Sequence, residues 1–284
     1  MIYAESQVRN EFADKKIVSM EVVIEDMDGR ILKSFKAKDQ EIAAGETKII
    51  KTGDKVSGLH FWSWGYGYLY NVYTILRIDG KVVDMLNTRT GFRKTRYDQG
   101  MFWLNDRVLQ IKGYAERTTN EWPAQGISVP AWLSDYSNRM MVESNGNTVR
   151  WMHVTPWKQD VESCDRVGLI QLMPAGDSEK DVTGRRWEQR VEVMRDAIIY
   201  NRNNPSVIFY EGGNEAISET HMAELKALRD QYDPYGGRAI GSREMLDSQE
   251  AEWGGEMLYI NKSAGKPLFA TEYCRDEGLR KYWD

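Results

Sequence analysis

The hydrophobic period of this chain changes near residue 94, and that change limits the folds it can adopt. Before it, apolar residues alternate with polar ones in the manner of half-buried strands, as Val18, Met20 and Val22 do. After it, short apolar runs alternate with segments whose apolar residues recur every three or four positions, the spacing of amphipathic helices. At 284 residues the chain can bury two cores, so we predict two domains, residues 1–93 and 94–284.

The first domain is predicted to be a small antiparallel β-sandwich. Asp28-Gly29 and Asp79-Gly80 each stand between two strand-like runs, which is the pattern of a β-hairpin. The stretch Thr47 to Lys51 supplies a further strand. Strands with one apolar face need a second layer to cover it, so two packed sheets are expected.

The second domain is predicted to contain a parallel sheet, because strands alternate with helices. Its first three strands are expected at Val108 to Lys112, Thr148 to His153 and Leu169 to Met173. A helix is expected to begin after Pro130 and to carry three apolar residues on one face: Leu133, Tyr136 and Met140.

Alternating strands and helices form either a closed eight-stranded barrel or an open, doubly wound sheet. The open sheet would need a glycine-rich phosphate-binding turn after its first strand, and Lys112-Gly113-Tyr114-Ala115-Glu116 is not one. We therefore favour a (β/α)8 TIM barrel. About seven strands fit before residue 272, and such a barrel usually takes roughly 250 residues, so its last strand and helix are expected to be missing.

Composition and charge argue against several kinds of partner. The formal net charge is -5, and no basic block could neutralise a run of phosphates, so no nucleic acid is expected. No apolar run is long enough to span a bilayer, so no membrane is expected either. The 3 histidines show no metal-ligand spacing, and we predict neither a metal nor a cofactor. The chain starts without the apolar core of a signal peptide; a signal could precede residue 1, so the compartment is not assigned.

Two glutamates follow predicted buried strands. Glu215 ends the run that begins at Asn204, and Glu272 follows Pro267 to Thr271. Barrel enzymes keep their chemistry at the carboxyl ends of the strands. Two carboxyl groups facing each other across a sugar can cut a glycosidic bond, because one protonates the leaving oxygen while the other stabilises the cation-like anomeric carbon. The pair therefore predicts a retaining glycosidase.

Several motifs resemble glycoside hydrolase family 2, which includes β-galactosidases, β-glucuronidases and β-mannosidases. Phe61-Trp62-Ser63-Trp64 is similar to the family's immunoglobulin-like domain, and Phe102-Trp103-Leu104-Asn105 to its crossover into the barrel. The strongest similarity runs from Asn204-Pro205-Ser206 to Gly213-Asn214-Glu215. The resemblance covers essentially the whole chain. It implies an immunoglobulin-like β-sandwich over residues 1–93 and a TIM-barrel catalytic domain over residues 94–284.

The resemblance also implies roles for five residues. Glu215 would be the acid/base and Glu272, in the Thr-Glu-Tyr motif, the nucleophile. Asn214 would contact the 2-hydroxyl of the sugar, with Arg150 and His153 near the reacting ring. The implied activity is exo-acting hydrolysis of terminal β-linked sugars in an oligo- or polysaccharide, galactosides before glucuronides. A homo-oligomer is left open.

Some positions depart from the family pattern. Tyr210-Glu211-Gly212 replaces the usual Trp-Ser-Leu, and Met173-Pro174 replaces an acidic pair. Val154 stands where a tyrosine is usual, and Ala115-Glu116-Arg117 where Asn-Arg-His is usual. These differences predict a divergent branch with a different substrate.

The alternative function is noncatalytic: a fragment, or a carbohydrate-binding protein with an incomplete barrel, whose unpaired strand edges would favour association. Further candidates for contact with the sugar are three glutamates and three tryptophans: Glu211, Glu116, Glu252, Trp122, Trp253 and Trp132. A structural role is expected for most of them.

Overall fold

The computed structural model describes residues 1–117, 129–176, 180–256 and 265–271. The chain divides into two compact units. One contains Met1–Phe61 with Tyr68–Phe92, and the other contains Trp62–Gly67 with Arg93–Asp284. A boundary between residues 93 and 94 stays a prediction. Among the described residues, no helix has both the length and the apolar character needed to cross a membrane.

The first unit is made of antiparallel strands. They are β1 (Ile2–Arg9), β2 (Lys16–Glu25), β3 (Ile31–Lys36), β4 (Gln40–Ile42), β5 (Thr47–Asp54), β6 (Tyr70–Ile78) and β7 (Lys81–Thr90). One sheet has the order β3-β2-β6-β7, with β4 also on β2, and the other pairs β1 with β5. Val8 and Ile50 from the second sheet share a core with Met20 and Val22 from the first. The predicted sandwich is confirmed.

The second unit begins with an antiparallel sheet of β8 (Thr95–Asp98), β9 (Met101–Leu104) and β10 (Arg107–Val108). Parallel strands follow: β11 (Gly113–Arg117), β12 (Thr148–Met152), β13 (Ile170–Pro174), β14 (Val207–Glu211), β15 (Ala239–Arg243), β16 (Trp253–Glu256) and β17 (Leu268–Ala270). The helices between them are α1 (Ala131–Glu143), α2 (Lys158–Val167), α3 (Arg185–Asn201) and α4 (Glu219–Tyr232).

The parallel strands lie in the sheet in the same order as in the chain. Every residue of β13, β14 and β15 is buried, as expected of strands covered on both faces. The outer strands β11 and β17 line one cavity of about 640 Å³, so the sheet curls until its two edges face the same space. Over the described residues the unit is therefore an incomplete TIM barrel of seven strands.

Aromatic rings pack against one another in the barrel interior. The centroid of Phe209 lies 4.8 Å from that of Phe269 and 5.2 Å from that of Phe102. Trp253 packs edge-on against Phe269 at 5.1 Å. Phe209 is fully buried and lies two residues before the end of β14, so these rings form an aromatic layer below the carboxyl end of that strand.

The predicted first barrel strand, Val108 to Lys112, is wrong. Arg107–Val108 completes the hairpin with β9, and the parallel sheet starts later, at β11. The backbone between them is held by a side chain instead of a strand: Asn147 accepts from the Lys112 N–H at 2.8 Å and donates to the Gln110 carbonyl at 2.7 Å. Consequently Ala115-Glu116-Arg117 lies within the strand and not after it.

The predicted apolar face of α1 is also corrected. Leu133 is buried, but Tyr136 and Met140 are exposed, and the other buried residues of the helix are Ser134 and Asn138. The helix contacts α2 through polar groups, since Ser134 Oγ donates to Asp160 Oδ1 at 2.6 Å and Asn138 Nδ2 donates to Ser163 Oγ at 3.0 Å.

Candidate active site

A buried ion pair joins Arg150 and Glu211 at the carboxyl end of the barrel. Arg150 Nε and Nη2 both donate to Glu211 Oε1, at 2.9 and 2.7 Å. The two side chains are 5% and 1% exposed. Their strands are not neighbours, because β13 lies between β12 and β14. The pair is possible because side chains from alternate strands fill the same layer of a barrel interior.

Asn214 belongs to the same network. Arg150 Nη2 also donates to Asn214 Oδ1, at 2.7 Å, and Asn214 is 6% exposed. The amide oxygen of Asn214 is thereby directed toward the guanidinium group. Its NH2 group, which can only donate, is directed elsewhere.

Glu215 follows immediately and is less buried. Its side chain is 31% exposed, and Arg243 Nη2 lies 3.4 Å from its Oε1. The backbone that carries it is anchored to β15, because Ser242 Oγ lies 2.5 Å from the Gly213 carbonyl oxygen and 2.7 Å from that of Glu215. A carboxyl group with access to solvent is thus held on a fixed backbone at the carboxyl end of the barrel.

His153 is half-buried and lies one residue beyond β12, at the same end of the sheet as Arg150. Its loop is tied to β13, since Thr155 Oγ1 donates to the Pro174 carbonyl at 3.1 Å. The structure therefore brings Arg150, Asn214 and Glu215 together, with His153 at the same edge.

Glu272 and Trp122 lie outside the described residues. The prediction that Glu272 and Glu215 face each other across the sugar therefore stays a prediction. Thr271, the residue before Glu272, is buried just after β17.

Three of the other candidates, Glu252, Glu116 and Trp253, have structural partners. Glu252 accepts from Arg229 Nη1 and Nη2, both at 2.8 Å. Tyr114 donates its hydroxyl to Glu116 at 3.0 Å, and burial together with that carboxylate raises the pKa of Tyr114. Trp253 is fully buried and donates to the Tyr210 carbonyl, whereas Trp132 is exposed on α1. No cluster of three potential metal ligands occurs in the part of the chain that the structure describes.

Two models of one protein family match the chain, one over each of its two parts. The model for glycosyl hydrolases family 2 matches residues 2–93, and the model for the TIM barrel domain of that family matches residues 96–280. The chain belongs to glycosyl hydrolases family 2. This identification confirms the resemblance on which the sequence interpretation depended.

Individual relatives of this family 2 chain are much longer. A beta-glucuronidase of Formosa agariphila is 30% identical over the whole chain, which spans 29% of that protein. The beta-galactosidase BoGH2A of Bacteroides ovatus is 25% identical over 72% of the chain, which corresponds to 25% of its own length.

Solved structures agree on the fold. A beta-glucuronidase from glycoside hydrolase family 2 superposes with a TM-score of 0.84 and 28% identity, over 92% of this chain and 29% of the other. A putative beta-galactosidase from Bacteroides fragilis gives a TM-score of 0.77 and 22% identity, over 91% of this chain and 39% of the other, which supports the fold alone.

The pairing of Arg150 with Glu211 in this family 2 chain was not predicted from the sequence. Glu211 was one of several candidates for sugar contact, and the structure instead buries it against an arginine. The available signal was its place at the end of Val207 to Glu211, where every other residue is apolar or aromatic. A charged group in a fully buried strand requires a partner of opposite charge.

Proposed function

We propose that the protein containing this chain is a retaining, exo-acting β-glycosidase in which Glu215 is the acid/base and Glu272 the nucleophile. The observation that carries the proposal is the fixed arrangement of Asn214 and Glu215 beside Arg150 at the carboxyl end of a family 2 barrel.

The proposed reaction has two steps. Glu215 first donates its proton to the leaving glycosidic oxygen while Glu272 attacks the anomeric carbon, which gives a covalent glycosyl-enzyme. Glu215, now ionised, then removes a proton from water as that water displaces Glu272 from the sugar. This sequence retains the β configuration and requires the two carboxyl groups to lie about 5 to 5.5 Å apart.

We propose β-glucuronides as the first substrate class to test and β-galactosides as the second. The relative named a beta-glucuronidase is 30% identical over the whole chain, whereas the one named BoGH2A is 25% identical over 72% of it. This order reverses the one favoured by the sequence interpretation. An aryl β-glycoside panel that includes both sugars decides between them.

The roles of the two glutamates are tested in the natural protein that carries this chain. Glu272→Gln is expected to abolish turnover of the aryl glycoside that the wild type hydrolyses. Glu215→Ala is expected to lower kcat by about 10²- to 10⁴-fold for a poor leaving group, and added azide should restore part of the rate as a β-glycosyl azide. Glu188→Gln, on the exposed side of α3, is the matched control and should leave kcat unchanged. Wild-type rates in either site variant would contradict the assignment.

A further inference from the structure

Glu211 is a feature of this chain that the proposed reaction does not use. It is fully buried, and it is the last residue of β14. A carboxylate withdrawn from water is strongly destabilising unless a cation and hydrogen bonds compensate it. Here Arg150 provides both, through two donors to one oxygen atom.

We propose that Glu211 is a positioning residue: it fixes the guanidinium group of Arg150 and thereby orients the amide of Asn214 toward the sugar 2-hydroxyl. The proposal rests on the proposed function and deepens it, because it identifies what prepares the site for a sugar that carries a 2-hydroxyl group.

The geometry at Arg150 Nη2 carries this inference. The nitrogen has two hydrogens, and its two acceptors, Glu211 Oε1 and Asn214 Oδ1, both lie 2.7 Å away. Because Nε also donates to Glu211 Oε1, the guanidinium plane cannot turn without breaking bonds to a buried carboxylate. The hydrogen that reaches Asn214 therefore has a fixed direction.

The consequence for Asn214 concerns which end of its amide faces the substrate. An amide presents an acceptor at one end and donors at the other. With Oδ1 bonded to Arg150, Nδ2 is the end that can donate to the sugar. Ser242 anchors the neighbouring backbone, so the motion left to Asn214 is rotation of its side chain. The hydrogen bond from Arg150 to Asn214 Oδ1 prevents that rotation. Loss of the Glu211 charge would free the guanidinium group and allow the amide to turn.

A purely structural role for Glu211 makes a different prediction. A loosened barrel would slow turnover of every substrate alike, whereas loss of amide orientation slows only substrates that use the 2-hydroxyl group. The test therefore compares kcat/KM for an aryl β-glycoside and its 2-deoxy analogue. The proteins are the full-length wild type, Glu211→Gln, Asn214→Ala and the double variant.

Glu211→Gln is expected to lower kcat/KM for the 2-hydroxy substrate by about 10- to 100-fold, the scale of a charge-assisted hydrogen bond. For the 2-deoxy substrate, kcat/KM should fall by less than about threefold. The kcat/KM of the double variant should match that of Asn214→Ala within about twofold, because both changes remove the same contact with the 2-hydroxyl group. Glu211→Asp keeps the charge on a shorter side chain. Its discrimination, the ratio of kcat/KM for the 2-hydroxy substrate to kcat/KM for the 2-deoxy analogue, should be closer to that of the wild type than the ratio for Glu211→Gln. Glu211→Asp serves as the test variant if the glutamine variant does not fold.

Equal losses on both substrates, or a double variant whose losses multiply, would overturn the positioning role. A lower Tm with unchanged discrimination would do the same. A wild type that hydrolyses no aryl glycoside contradicts the proposed function itself, whereas an active wild type with normal discrimination in the Glu211 variants contradicts this inference alone.

Discussion

At the scale of single residues, Asp165 is another carboxyl group that the fold buries. It lies in α2 and is 3% exposed. It accepts hydrogen bonds from the Ser206 N–H at 3.1 Å, from the Ser206 hydroxyl and from Asn204 Nδ2 at 2.5 Å. Burial nevertheless raises the pKa of Asp165 to about 6, because the loss of hydration outweighs these hydrogen bonds.

This shift predicts how stability depends on pH. Between about pH 4 and pH 6 an unfolded Asp165 is ionised while the folded one keeps its proton, so the free energy of unfolding should fall by about 3 kcal/mol as pH rises through that window. The stability that folding gains from the raised pKa of Asp165 is fully present below about pH 4 and is lost above about pH 6. Asp165→Asn removes the titration, and the difference between the two proteins should therefore vary with pH only inside the window.

The measurement is urea unfolding at one-unit intervals from pH 3 to pH 8. Other carboxyl groups contribute to the pH dependence of both proteins, so the comparison with Asp165→Asn isolates this one. Asp196→Asn, on the exposed surface of α3, is the control and should follow the wild type. Parallel curves for the wild type and Asp165→Asn would contradict the account.

At the scale of elements, the segment Trp62–Gly67 holds the end of α2. Trp62 is fully buried and donates its indole N–H to the Asp165 carbonyl at 2.8 Å. The N–H of Gly65 donates to the Gly168 carbonyl at 3.0 Å. Gly168 ends α2 in the left-handed conformation, with φ of 77°. The helix end and the segment are therefore in direct backbone contact.

Alanine substitutions at the two glycines of this contact should have unequal effects. A Cβ on Gly168 would lie 2.7 Å from backbone atoms of residues 63, 65 and 66, which cannot rotate away, and we expect Gly168→Ala to cost about 2–4 kcal/mol. Gly65 has a similar positive φ of 67°, but its Cβ would meet only Val142 Cγ1 at 3.7 Å. Gly65→Ala should therefore cost about 1 kcal/mol.

Urea unfolding followed by circular dichroism measures both free energies against the wild type. The paired design separates the cost of the backbone conformation, which the two variants share, from the cost of the close contact. Equal losses of unfolding free energy in Gly168→Ala and Gly65→Ala would show that the close contact between residues 63–66 and the end of α2 does not contribute to the cost.

Elements whose structure depends on neighbouring residues were predicted correctly from the sequence, whereas elements that depend on distant partners were not. The hairpins at Asp28-Gly29 and Asp79-Gly80 were predicted correctly because turn geometry depends on the turn residues themselves. The first barrel strand was misplaced because its apolar run is bound by the side chain of Asn147, more than thirty residues later along the chain. The buried face of α1 was misassigned for the same kind of reason, since its partners belong to α2.

At the scale of the whole molecule, the barrel creates contacts that no local pattern contains. Asn214 and Glu215 could be found from their motif, and Arg150 from its place in a strand. The pairing of Arg150 with Glu211 spans sixty-one residues and crosses β13, so it depends on the curvature of the sheet. The aromatic layer around Phe209 lies two residues before Glu211 in the same strand and gives the site a packed base.

The two-step mechanism requires one particular carboxyl group to become bonded to the sugar. An activated 2-deoxy-2-fluoro β-glycoside of the sugar that the natural protein hydrolyses should trap that bond, because fluorine slows the second step. Trypsin separates the candidates: Ser263–Arg275 contains Glu272 as its one carboxyl side chain, and Asn203–Lys226 contains Glu211 and Glu215.

Mass spectrometry of the trapped and digested protein is the most direct test of a retaining mechanism with Glu272 as nucleophile. We predict one glycosyl adduct, on the peptide Ser263–Arg275, and none on Asn203–Lys226. An adduct on the peptide that carries Glu211 and Glu215, or turnover of the reagent with inversion and no adduct, would contradict the account.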